Sequence, residues 1–483
     1  MKKTTHLVIC AALALTTVQG NAQHPWQMFH NNRQHAGYAD VKGPQSATVR
    51  WKYFTGTTGF EGGNSVAISS AGTIYVCGPG KITALDRGGN LKWTKPYPGA
   101  QGPAISKDGS RIFIVSNTNI VALDTLGNQQ WIHAVGDTMI FGVTLSEDDS
   151  TLYQGCWDHY VYALKTSDGS ERWKYLTQGC VSYSVTIHND GTVLVGGGDA
   201  HCGSDSTVYA LNPDGSFKWK YIVNGTGGVH CGTPVIGPDS LIYVAAQPTL
   251  YVLNNNGQLQ WSVGSFSSQA AGIIAPAITP DTTIYAGTNQ GILNAISGKT
   301  HTIKWSYQTG PDPNQSNFYG IISFPVADKE GTVFTGAVDN KVYAIDKNGA
   351  LKWSYTTGGR ISEASPALDT DGTLYITSDD GYLYAFWDTV SVTGMAQSRQ
   401  AGDIAARLFP DPCNGKFTLL SEQVRNGQYC VEIYNMVGEK IYSSSCHLPN
   451  SVVDISSQPD GIYLVKIITG NASAVSRLAI SRY

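Results

Sequence analysis

Charge is scarce in this 483-residue chain: Asp, Glu, Lys and Arg supply 14% of it, with 32 basic residues against 36 acidic ones. No basic run occurs, so the electrostatic footprint of a nucleic-acid-binding protein is missing. Long apolar runs are missing too. The one sizeable stretch, from Leu7 to Val18, follows Met1-Lys2-Lys3 and precedes Gly20-Asn21-Ala22. That layout predicts a secretory signal peptide over 1–22, cleaved after Ala22. It is too short to span a bilayer, and nothing later reaches spanning length, so no transmembrane segment is expected. Ile9 stands before Cys10 where a lipoprotein box has a small residue. There is no Cys-Cys doublet, no Cys-x-x-Cys-His haem site, no Ser/His/Asp set on a nucleophile elbow and no evident carboxylate pair.

What the chain does have is a period. Trp51, Trp93, Trp131, Trp173, Trp219, Trp261, Trp305 and Trp353 follow one another at intervals of 38 to 48 residues. A period near 40 marks an array of supersecondary units. Gly331-Thr-Val-Phe-Thr-Gly, Val342-Tyr-Ala-Ile-Asp and Gly349-Ala-Leu-Lys-Trp353-Ser-Tyr are β-branched and aromatic runs separated by turn residues, a strand pattern rather than a helical one. Each unit holds three such runs and a fourth that carries the tryptophan. Asp108-Gly109, Asp190-Gly191 and Asp371-Gly372 mark the turn between first and second strands. Alanine recurs in the third strand at Ala84, Ala122, Ala163, Ala210, Ala295, Ala344 and Ala385, with Val252 as the exception. A glycine four residues before Trp93, Trp131, Trp173, Trp219, Trp261 and Trp353 supplies a positive φ to the turn into the fourth strand.

Four antiparallel strands per unit, without helices, predict an all-β fold: an eight-bladed β-propeller over 23–390. Trp51 precedes the first complete unit, and the last unit ends near Phe386 without a tryptophan strand. The count closes if Val49–Phe54 is the fourth strand of the last blade. Each indole then docks against the next blade.

The run Tyr-Ala-Leu/Ile-Asp-x-x-Gly-x-x-x-Trp resembles the docking motif of pyrroloquinoline-quinone-like (PQQ-like) propellers, over roughly residues 25–390. That family holds quinoprotein alcohol dehydrogenases as well as a non-catalytic scaffold lipoprotein of outer-membrane assembly. Trp26-Gln-Met-Phe-His and His35-Ala-Gly37 look like the N-terminal clasp of such rings. The period fails in a linker over 391–404, and 405–483 reads as a small β-sandwich. Its Pro410-Asp-Pro-Cys-Asn-Gly opening, Tyr434-Asn-x-x-Gly hairpin and Gly461-Ile-Tyr strand resemble the C-terminal sorting domain of the type IX secretion system, with Cys413 where serine is usual. The resemblance implies passage through the periplasm, engagement of the type IX machinery through residues 405–483, and a secreted or cell-surface protein of a Gram-negative bacterium.

Nine cysteines suit an exported chain. Cys156 and Cys202 fall in second-to-third-strand loops of consecutive blades, and Cys180 and Cys231 fall where the next first strand begins. This register predicts disulfides Cys156–Cys180 and Cys202–Cys231, and leaves alternating pairings such as Cys180–Cys202 open. Cys430 and Cys446 flank Gly438 and form a candidate bridge across a hairpin. The same loops carry Trp157, Asp158, His159, Asp199, His201, Asp205 and His230. Their spacing matches no compact metal motif, so disulfides are preferred to a metal site. Two longer segments, Gly196–Ser206 and Thr309–Phe318, break the repeat on the same face. Trp157, His159, Tyr183, His201, His230 and Tyr319 are therefore the candidate binding face, with plain loop packing as the competing reading for each.

A quinone-dependent dehydrogenase, as the resemblance allows, needs a quinone on the axis, calcium held by carboxylates and amides, and a general base. The chain lacks the family's adjacent-cysteine and haem markers. The expected function is a secreted, non-catalytic binding or scaffold module for a protein or polysaccharide ligand, with no catalytic residue, cofactor or metal. The alternative is a quinoprotein-like oxidoreductase with PQQ and calcium.

Overall fold

The computed structural model describes residues 26–56, 65–198, 205–223, 232–246, 249–264, 275–315, 319–388, 407–409, 413–420, 429–435, 440–447, 452–469 and 472–480. The expected signal peptide and linker lie outside these. Among the described residues all regular structure is strand, and the chain divides into two compact units, Met1–Thr389 and Val390–Tyr483.

The first unit is a ring of eight four-stranded antiparallel sheets. Blade 1 consists of Val66–Ile68, Ile74–Gly78, Lys81–Leu85 and Leu91–Pro96. Blades 2 to 7 repeat that order. Blade 8 pairs Ala367–Leu368, Leu374–Thr377 and Tyr382–Phe386 with Val49–Phe54, so the closure falls where the tryptophan count put it. The Asp388 carboxylate accepts the N–H groups of Gln45 at 2.6 Å and Ser46 at 3.0 Å, tying the end of the ring to its start. At the seam with blade 1, Arg87 grips the buried Asp369 by hydrogen bonds of 2.7 and 2.8 Å. The run Asp369-Thr-Asp-Gly is thus a hairpin turn that also receives an arginine.

The three inner strands of each blade are covered on both faces by neighbouring blades, so they read as continuous apolar runs. The fourth strand has one face in water and alternates instead, as in Glu171–Leu176. In blade 3 the tryptophan sits directly opposite the third-strand alanine, Ala163 facing Trp173, just before a bulge; Ala84–Trp93 and Ala344–Trp353 repeat the arrangement.

Each indole reaches forward one blade. The ring N–H of Trp51, Trp93, Trp131, Trp173, Trp219 and Trp305 donates at 2.8–2.9 Å to the carbonyl of Arg87, Thr125, Thr166, Pro213, Asn255 and Lys347 respectively. Trp353 donates to Pro44, in the segment that enters blade 8's fourth strand. A hydrogen bond of this kind is worth about 1 kcal/mol net, and the ring face adds burial. The turn glycines have the expected positive φ, and a second reason to be glycine. A Cβ at Gly89, Gly169, Gly215 or Gly257 would sit 2.5–2.6 Å from the preceding blade's indole. Blade 6 has His301 at this position, also at positive φ, and its ring stacks on Trp261 at 4.3 Å and 11°.

One end of the ring, the turn face, carries the first-to-second and third-to-fourth turns. The other, the loop face, carries the second-to-third loops and the connections between blades. The second unit has a three-stranded sheet (Arg407–Phe409, Lys416–Leu420, Val452–Asp454) and a four-stranded one in the order Lys440–His447, Tyr429–Tyr434, Gly461–Thr469, Ala472–Ile480. They share a core of Phe417, Val453, Val431, Ile433, Tyr463, Val465, Ile467 and Leu478.

Deleting residues 41–55 removes the closing strand and the Pro44 acceptor; the whole ring should melt at lower temperature, and an unchanged melting temperature contradicts the closure. Gly215→Ala should cost about 3 kcal/mol in denaturant titration, combining backbone strain with the clash against Trp173, whereas Gly80→Ala, with φ +70° and open space, should cost about 1 kcal/mol. Equal losses would remove the indole contact from the explanation.

Candidate functional site

The segment Trp26–Gly43 is not part of any blade. It runs round the inner rim of the turn face and meets the blades in order. Its carbonyls at Trp26, Gln27, Arg33, Gln34, Ala36 and Gly37 accept the N–H groups of Ile68, Ile105, Ile187, Ile236, Ile278 and Ala327, the ends of the first strands of blades 1, 2, 4, 5, 6 and 7. The clasp expected from Trp26, His30, His35 and Gly37 is therefore a belt around the whole ring.

Its side chains fill the axis. Phe29 meets Phe324 edge-on at 4.7 Å and Phe141 at 5.6 Å, and Phe141 meets Phe324 at 5.6 Å. Phe141 enters from blade 3 and Phe324 from blade 7, so groups from opposite sides of the ring touch. Two histidines lock the belt to this plug. His30 lies with Nδ1 2.5 Å from the His35 carbonyl and Nε2 2.8 Å from that of Pro325. His35 lies with Nδ1 2.9 Å from Phe29 O and Nε2 2.8 Å from Val185 O. Both rings are fully buried. Burial outweighs the pull of the two carbonyls and lowers the His30 pKa to about 4. Gly37, at φ +58°, has no room for a Cβ beside the His30 ring.

Four of the residues named from sequence, Trp157, His159, Tyr183 and Tyr319, are among the described residues. Trp157 is half-buried and donates from its indole N–H to Ser182 Oγ at 2.9 Å. His159, at φ +71°, offers its carbonyl to Thr177. Tyr183 stacks on Phe141 at 5.5 Å and 23°. Tyr319 is 36% exposed, but it belongs to the entry of blade 7, far round the ring from Trp157. His201, His230, Cys202 and Cys231 lie outside the described residues.

The expected Cys156–Cys180 bridge is corrected. Val181 N–H does reach the Cys156 carbonyl at 3.1 Å, so the two backbones meet as the register required. The Cys156 sulfur, however, turns to the Asp137 carbonyl at 3.3 Å and remains a thiol. Cys180 is disulfide-bonded, hence to a cysteine outside the described residues. Its carbonyl accepts the N–H of Gly198. The Cys430–Cys446 bridge is corrected as well: Cys430 keeps its thiol, because a bulge between Tyr429 and Val431 shifts the pairing there. The Cys446 side chain lies outside the described residues.

One loop-face motif escaped the sequence reading. Asp158, Asp205, Asp339 and Asp380 each accept the phenol of the tyrosine four residues on, Tyr162, Tyr209, Tyr343 and Tyr384. Asp158, Asp339 and Asp380 also accept an N–H from the connection beside them, at Gly136, Gly310 and Gly358. The Asp-x-x-x-Tyr spacing was visible and has a structural use: it pins that connection. A neighbouring carboxyl, Asp379, is raised to about 6 by burial while accepting the Ser362 hydroxyl.

Among the described residues, open volume lies on the other face. A cavity of about 420 Å³ opens on the turn face, lined by belt residues including Gln27, Asn32, Gln34 and Tyr38. A second, of about 240 Å³, adjoins it and shares Asn32, Gln34 and Tyr38. Sequence reasoning sought departures within the repeats, whereas these walls come from a segment outside them.

A family model described as outer membrane protein assembly factor BamB matches residues 26–179 and 116–234, and a secretion system C-terminal sorting domain model matches residues 407–481. The chain joins a PQQ-like propeller to a secretion sorting domain. Its PQQ-like ring is similar to the crystal structure of BamB from Moraxella catarrhalis, at 18% identity and TM-score 0.55, over 70% of this chain and 98% of that one. It is similar to a europium-containing methanol dehydrogenase at 15% identity and TM-score 0.59, over 74% and 89% of the two chains. It is similar to quinohemoprotein alcohol dehydrogenase from Comamonas testosteroni at 15% identity and TM-score 0.60, over 81% and 84%. At such identities the likeness shows the fold alone. No curated protein matches the chain. The sorting domain indicates secretion or display at the cell surface. Among the described residues, no helix is long and apolar enough to cross a membrane.

At the level of Phe29, Phe141 and Phe324 three aromatic rings meet on the axis. Among the described residues no three His, Cys, Asp or Glu side chains converge.

His30 gives this plug a pH signature. Its stabilising contribution, as the neutral form, is complete above its unfolded pKa of 6.5 and is lost as pH falls through about 4. Between those limits the chain should lose about 3 kcal/mol of stability relative to a His30→Asn variant, measured by denaturant titration. Parallel pH profiles would mean that His30 is protonated in the folded ring.

Proposed function

We propose that the ring is a secreted, non-catalytic binding module, carried out of the cell by its sorting domain and holding a protein or glycan ligand. The observation that supports this most strongly is the filled axis. Side chains from blades 3 and 7 meet there across Phe29. The loop-face aspartates are spent on tyrosines and backbone N–H groups, and so hold connections in place. A rigid ring with open volume at one end suits binding better than turnover. Asp379, with its raised pKa, is the one observation on the side of the oxidoreductase alternative.

The test is direct. The full chain, incubated with pyrroloquinoline quinone and calcium and then desalted, should retain no quinone absorbance, and dye-linked oxidation of primary alcohols should stay at background. Retained quinone together with turnover, abolished by Asp379→Asn, would establish the oxidoreductase instead.

A further inference from the structure

We propose that the belt-lined basin on the turn face is the ligand site, and that it takes a neutral oligosaccharide. This rests on the binding-module reading and names its site and ligand class.

Most of the charge at the basin is held within it. Arg33 and Lys107 both pair with Glu147, Asp149 accepts the Lys107 backbone N–H at 2.5 Å, and Asp40 accepts the Tyr38 hydroxyl at 3.5 Å. An ionic ligand would have to break that set. Beside these carboxylates and cations stand neutral hydrogen-bonding groups. Gln27 lines the larger cavity, and Asn32 spends its Oδ1 on the Gln34 N–H at 3.0 Å, which leaves its amide N–H₂. Side-chain amides suit hydroxyl groups, which both donate and accept.

Tyr38 supplies the platform. It is partly exposed and is the aromatic residue that lines both cavities. Burial and the nearby Asp40 push its hydroxyl up to about 12, so it remains a donor at neutral pH. Two adjoining cavities of about 420 and 240 Å³, more apolar than polar in their lining and sharing Asn32, Gln34 and Tyr38, match a ligand of repeating ring-sized units with apolar faces and hydroxyl edges. A peptide adding as a strand is disfavoured, because the belt carbonyls at Gln27, Arg33, Gln34 and Ala36 are already spent on the first strands. Those same bonds hold the basin walls before any ligand arrives, which lowers the ordering cost of binding.

The experiment titrates the full chain by calorimetry with neutral oligosaccharides of the β-glucan, α-glucan, mannan and chitin series. At least one series should bind. Tyr38→Ala and Asn32→Ala should each weaken it by about tenfold or more with unchanged melting temperatures, and Trp157→Ala on the loop face should leave it unaltered. Should Tyr38→Ala fail to fold, Gln27→Ala reads the same wall. Absence of binding by every series, or capture of peptides in their place, overturns the saccharide assignment. Binding lost in Trp157→Ala but kept in Tyr38→Ala overturns the site while leaving a binding module standing. Quinone retention with turnover, by contrast, removes the binding-module reading itself.

Discussion

A ring of eight blades must be closed at its seam and filled at its centre, and everything else in this molecule follows from how it meets those two demands. Neighbouring blades are joined pairwise: most of the indoles reach a carbonyl of the next blade and pack on the glycine beside it, and Trp261 stacks on His301 instead. Pairwise joints alone would leave an array that could open at any one of them. The belt Trp26–Gly43 is different, because one segment bonds to the first strands of six blades and sends Phe29 into the axis.

That arrangement separates the two ends of the ring by task. On the loop face, Asp–Tyr pairs, the thiol of Cys156 and the disulfide of Cys180 fix loops against their neighbours. On the turn face, the belt forms the walls of the open volume. The aromatic plug lies between the two and keeps the axis from serving as a shared chamber. The fold is common to an assembly factor and to dehydrogenases, so the contents of the axis, rather than the blades, separate the readings.

Blade number, strand count and the closing strand were legible because the tryptophan period is a local, repeated signal. The turn glycines were half legible. Positive φ follows from the turn, but the contact with the preceding indole is a tertiary fact, and His301 shows how one blade meets it with a stacked ring instead. The Cys156–Cys180 pairing failed because loop register fixes where two backbones meet and not where Cys156 points its sulfur. The open volume was missed for a different reason. Repeat analysis looks for departures inside the period, while Gln27, Asn32 and Tyr38 lie before it begins. The Asp-x-x-x-Tyr spacing was in plain sight, and only its use was not.

The central claim is that the belt makes the blades one cooperative unit. Amide hydrogen exchange at Ile68, Ile105, Ile187, Ile236, Ile278 and Ala327 tests it most directly, since each of these N–H groups is held by a belt carbonyl. The account predicts one common slow rate for all six, equal to that of the blade interiors, because none can open unless the ring does. Six independent rates, or exchange at all six well ahead of the interiors, would show that the belt opens alone and contradict it.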